Sequence, residues 1–63
     1  MNKQRRSSLE QAKDIIQIAM DDEQAAFDNL PDSIRDSERG QQMEGFIYNM
    51  DEAVSNLSEI LEA

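Results

Sequence analysis

The sequence predicts an all-α protein, an antiparallel two-helix hairpin that dimerises into a four-helix bundle. Three observations carry the prediction. Apolar residues recur at alternating spacings of three and four on both sides of one central break. The break, residues 29–37, is built around the chain's single proline. Nothing else holds 63 residues together: there is no Cys and no His, so neither disulfides nor a zinc site can staple a chain of this size, and self-association is the remaining common remedy.

Residues 1–6 hold Lys3, Arg5 and Arg6 without an apolar pattern. They are expected to be a disordered basic tail. Ser7 or Ser8 is then the expected N-cap, with Glu10 or Gln11 three residues on at capping-box spacing. The first helix is predicted over about residues 8–29. Its seam reads Leu9, Ala12, Ile16, Ala19, Glu23, Ala26 and Leu30, the a/d spacing of paired helices. Met20 and Phe27 flank this line. Glu23 is its one polar member, so either Glu23 snorkels to the edge or the core line lies toward Met20 and Phe27.

Pro31 lacks an N–H and pushes Leu30 away from α geometry, so the first helix should stop at about Asn29. Asp32 and Ser33 favour a turn through their side-chain oxygens. Leu30 and Ile34 are expected to plug the end of the core. Ser37 is the expected N-cap of the second helix, with Asp36 as the alternative, and Glu38 complements the dipole of its first turn.

The second helix is predicted over about residues 38–62. Met43, Phe46, Met50, Ala53, Leu57 and Ile60 hold its a/d positions, and Ile47, Val54 and Leu61 form a parallel line one residue on. Gly45 lies inside it, either exposed or allowing a close backbone approach near Phe27 or Tyr48, at a cost of about 1 kcal/mol relative to Ala. Gly40 falls in the first turn. Two helices alone leave so broad a stripe half-wet. Ile15 and Ile18 sit off the main seam, and with Val54 and Leu61 they are the expected dimer interface, or the docking face for a different protein.

Charge bounds the function. Six basic residues oppose fourteen acidic ones, for a net charge of −8. Residues 7–63 set Lys13, Arg35 and Arg39 against all fourteen acids, which leaves −11. Such a surface repels nucleic acid and anionic membranes and attracts basic partners. No apolar run approaches the ~20 residues of a membrane span, and no apolar core follows the basic start as in a signal peptide. A cytoplasmic location is expected.

An enzyme is not expected. Without His or Cys there is no imidazole base and no thiol nucleophile, and the six serines have only carboxylates for company. No Gly-rich phosphate loop is present. Asp28, Asp32 and Asp36 lack the order of a calcium loop and have Pro31 among them. No cofactor and no metal are expected.

Residues 21–44, DDEQAAFDNLPDSIRDSERGQQME, resemble a segment of uncharacterised small acidic helical-hairpin proteins of phages and prophages, of the pattern D-E-E-Q-x-A-F-D-N-L-P-x-S-hydrophobic-x-x-S-E-R-G-x-x-M-E. Asp22 stands where Glu is common, and the stretch after Glu44 has fewer acids than the pattern leads one to expect. The resemblance implies a mobile-element origin and a helical hairpin, and carries no assigned activity.

What remains is surface. Asp14, Asp21 and Asp28 recur every seven residues and stack on one face of the first helix; Glu44, Asp51, Glu52 and Glu59 do the same on the second. A net −11 over a hairpin of ~35 Å gives one charge per ~3 Å, and a side-by-side dimer one per ~1.6 Å, against ~1.7 Å for duplex DNA. These acids are therefore the candidate binding face. The favoured reading is a small acidic interaction protein that binds and blocks a basic or nucleic-acid-handling host protein, an anti-defence inhibitor or nucleic-acid mimic. The alternative is a structural or assembly module pairing through apolar helix faces as a coiled coil or bundle. Direct nucleic-acid binding through Lys3, Arg5 and Arg6 is opposed by the net charge.

Overall fold

The structure, a computed structural model, describes residues 1–63. Three helices follow in order: α1 (Lys3–Asp28), α2 (Asp32–Arg35) and α3 (Glu38–Glu62). At 1.5 Å per residue α1 and α3 are each about 38 Å long. The whole chain spans 48 × 15 × 12 Å, so the two long helices lie side by side. The Arg6 side chain meets Leu61, which makes them antiparallel. No helix is long and apolar enough to cross a membrane.

The helical N-terminus departs from expectation. Residues 3–6 are helical, and the N-cap is Asn2, not Ser7 or Ser8. Asn2 is extended, and its Oδ1 accepts the Arg5 N–H at 2.9 Å. Ser8 lies inside the helix, its hydroxyl donating to the Gln4 carbonyl at 3.1 Å. A basic first turn is unfavourable beside its own helix dipole. The antiparallel partner reverses that sign, because the C-terminal carbonyls of α3 lie alongside. The Arg6 guanidinium donates to the carbonyl of Leu61 and, at 3.3 Å, to that of Ala63. Arg6 thus complements the negative end of the other helix.

Pro31 ends α1 where expected: Asp28 is the last helical residue and Asn29 the C-cap. The break is more ordered than a simple turn. Pro31 starts the single helical turn α2, its carbonyl accepting from Ile34 and Arg35 N–H groups at 2.9 Å each. Arg35 then reaches back, donating to the carbonyls of Asp28 at 2.9 Å and Leu30 at 3.3 Å. Its guanidinium carbon sits 5.7 Å from the centroid of the Phe27 ring. One cation therefore satisfies the open carbonyl end of α1 and covers an aromatic face.

Ser37 occupies the N-cap of α3 in extended geometry, but its hydroxyl donates backward to Ile34 and makes no cap bond. Gly40 is the one fully buried residue of the chain. A Cβ there would land on the Arg35 carbonyl oxygen and 2.6 Å from its carbon, so α2 can pack on α3 only across a glycine. Gly45 faces open space, with nothing within 4 Å of an added Cβ; no close approach occurs there. Leu30 is half-buried at the end of the seam, whereas Ile34 is exposed.

The seam between α1 and α3 keeps Leu9, Ala12, Ile16, Glu23 and Leu30 and Met43, Met50, Ala53 and Leu57 of the expected a/d lines. It steps one residue on at Ala19, Ala26, Phe46 and Ile60, on α1 toward Met20 and Phe27 as the alternative core line has it. On α1, Leu9, Ile16, Met20, Glu23, Phe27 and Leu30 are half-buried while Ala19 and Ala26 are exposed. On α3, Met43, Ile47, Met50, Val54, Leu57 and Leu61 are half-buried while Phe46 and Ile60 are exposed. On α1, Met20 and Phe27 fill the gap between helices where two alanines would leave voids, so there the larger side chains take the contact. Val54 and Leu61, expected on an outer interface, are consequently seam residues.

No hydrophobic side chain is fully buried. The accessible surface is 4765 Å², against about 4100 Å² for a compact monomer of this mass. The radius of gyration is 14.6 Å, against about 10.6 Å for a compact domain of this length.

Candidate interaction surface

Because the seam follows Met20 and Phe27 on α1 and Ile47 and Val54 on α3, each long helix has two flanks beside it. Helical spacing sorts the remaining residues onto them. One flank carries Asp21 and Gln24 on α1 and Glu44, Tyr48 and Asp51 on α3. These residues meet around a groove of about 540 Å³, with Met20, Phe27 and Ile47 at its base. Three carboxylates and no cation line this apolar channel. Gln17 Nε2 donates to Asp21 Oδ1 at 3.1 Å, which holds one carboxylate in place. No ion pair engages the three: the chain's single ion pair joins Arg35 to Asp32 at 3.7 Å.

The seven acids predicted as one array are divided. Asp21, Glu44 and Asp51 converge on the groove. Asp14 lies toward the chain ends, in a depression of mixed sign that it shares with Arg6, Lys13 and Glu62. Asp28 is beyond the groove on its α1 side, its Oδ1 accepting from Gln24 Nε2 at 3.0 Å. Glu52 and Glu59 are exposed further round α3 and line no groove. Sequence reasoning passed over Tyr48, Met20 and Phe27 as parts of this face. Tyr48 was the available signal: it stands four residues after Glu44 and three before Asp51, one turn from each.

The opposite flank is apolar. Ala12, Ala19 and Ala26 recur every seven residues on α1, and Phe46, Ala53 and Ile60 on α3. Helical spacing puts both rows on the side of the seam away from the groove. Ile15 extends the α1 row outward and is 67% exposed, whereas Ile18, 62% exposed, lies on the back of α1 opposite the seam residues Ile16 and Met20; Phe46 and Ile60 are 48% and 42% exposed. Of the four residues predicted for an outer apolar face, Ile15 and Ile18 are therefore on the surface, and Phe46 and Ile60 stand where Val54 and Leu61 were expected. Of the expected a/d lines, Ala19, Ala26, Phe46 and Ile60 are exposed on this face.

The hairpin thus separates two chemistries, an acid-walled groove on one flank and an uncovered apolar strip on the other. The structure brings no three carboxylates into a group able to hold a metal ion. Compared with protein-family profiles, curated proteins and solved structures, the chain matches none.

Proposed function

We propose that this chain is a non-enzymatic interaction module that pairs with a second copy through its apolar flank and presents its acidic flank to a basic protein. The observation that carries the reading is the segregation itself. A hairpin evolved only for solubility has no need to gather Ile15, Phe46 and Ile60 on one side and Asp21, Glu44 and Asp51 on the other. An uncovered apolar strip rimmed by polar residues marks an association surface. Pairing two hairpins there forms a four-helix bundle and supplies the buried core that one copy lacks.

The charge pattern favours a basic protein over full imitation of a duplex. With the basic N-terminus folded into α1, a net −8 spread along 48 Å is one charge per about 6 Å, and two chains side by side give about one per 3 Å, sparser than the ~1.7 Å of DNA. A mobile-element origin, which the resemblance to phage hairpins implies, would make a protein of the host cytoplasm the one met, and the acidic flank is the surface that would bind and block it.

Light scattering tests the pairing. The expected mass is about 14.4 kDa, twice the 7.2 kDa of one chain, at both low and high salt. Ile15→Asp combined with Ile60→Asp should give 7.2 kDa with most helicity retained. A single-chain mass for the unaltered protein at both salts overturns the pairing. Binding of a basic protein such as a histone that weakens with added salt supports the acidic half, and absence of binding at low salt removes it.

A further inference from the structure

We infer that the groove between α1 and α3 binds a cationic amphipathic helix, one whose apolar side chain enters the groove while Lys or Arg a turn away on either side meets its carboxylates. This rests on the acidic half of the function proposed above and specifies the partner's form.

The argument is one of fit. Phe27 and Ile47 form an apolar floor, and Tyr48, 62% exposed, forms its side. A purely polar basic tail would leave that floor wet, and burying it is the favourable term such a tail forgoes. The walls carry Asp21 from one helix and Glu44 and Asp51 from the other. Glu44 and Asp51 are seven residues apart, about 10 Å along the axis. A docked helix repeats its own face at the same interval, so cations one turn before and one turn after an apolar anchor reach both ends of the groove. No cation lines the groove and no ion pair occupies these carboxylates. The occupant's positive charge meets no competitor from the chain itself.

Tyr48 supplies a local readout, since the chain has one Tyr and no Trp. The probe is a designed peptide of about 15 residues of Leu, Lys and Ala with that spacing, long enough to form a helix. Controls are a peptide of equal charge with Leu replaced by Ser, and oligolysine. The Leu peptide should change Tyr48 emission and bind at least about tenfold more tightly than the Ser peptide, with affinity falling as salt rises. Glu44→Lys with Asp51→Lys should weaken it about tenfold. Glu52→Lys with Glu59→Lys, equal in charge and outside the groove, should weaken it less than about threefold. Tyr48→Ala should weaken the Leu peptide and leave oligolysine unchanged. All these positions are exposed, and circular dichroism checks that the variants stay helical. Equal binding of Leu and Ser peptides, or equal loss in both double variants, overturns the groove while leaving a diffuse acidic face intact. Binding of neither peptide nor oligolysine overturns both.

Discussion

Gly40 and Gly45 stand five residues apart in the same helix and have opposite reasons to be there. At Gly40 the backbone of α2 occupies the space of a Cβ. Gly40→Ala forces the Arg35 carbonyl away and should destabilise the chain by about 1–3 kcal/mol. At Gly45 nothing is within 4 Å, so Gly45→Ala only relieves the entropy that glycine loses in a helix. It should stabilise by about 0.5–1 kcal/mol. Urea melts of the two variants should shift to opposite sides of the unaltered chain, and shifts of the same sign would contradict this account of the α2–α3 contact. Arg35 belongs to the same corner. It donates to two carbonyls, pairs with Asp32 and covers Phe27, yet in the sequence it is one of three isolated bases after residue 6, with nothing to mark it.

At the level of elements, the break around Pro31 was legible because its cause is local: proline's missing N–H and the clash with Leu30 act within two residues. The start of α1 was not legible, because its cause lies 55 positions away along the chain. Arg6 works as a cap for the end of α3, a role visible only once the two termini are side by side. Arg6→Ala should therefore loosen two ends together. Hydrogen exchange should quicken at the first turns of α1 and the last turn of α3, with little change around the break. Faster exchange confined to α1 would mean that the contact to Leu61 contributes nothing. The seam carries the same lesson. Periodicity identified apolar rows on both helices, but two adjacent rows compete on each, and spacing alone does not rank them. The packing of the two helices decides between them, placing Met20, Phe27, Ile47, Val54 and Leu61 inward and leaving Phe46 and Ile60 exposed.

For the whole molecule, the dominant fact is an elongated shape with no fully buried hydrophobic side chain and a net charge of −8. Like charges along 48 Å repel in the folded state, and salt screens that repulsion. The midpoint of thermal unfolding should rise as salt is raised. If pairing supplies the core, it should also rise with protein concentration, because association draws the equilibrium toward folded chains. A midpoint independent of concentration would show that one hairpin is sufficient.

The sequence by itself determined the all-helical class, the two long helices, the place of the break, the acidity and the heptad rows, because each follows from neighbours within a turn or two of the chain. Only the tertiary structure decided which row faces the partner helix, that Arg6 and Arg35 cap helix ends across the fold, that Gly40 is a contact and Gly45 is not, and that three of seven acids gather around an apolar groove. Those outcomes depend on how two helices rotate against each other. That rotation is set by contacts between side chains distant in sequence, which no local pattern contains.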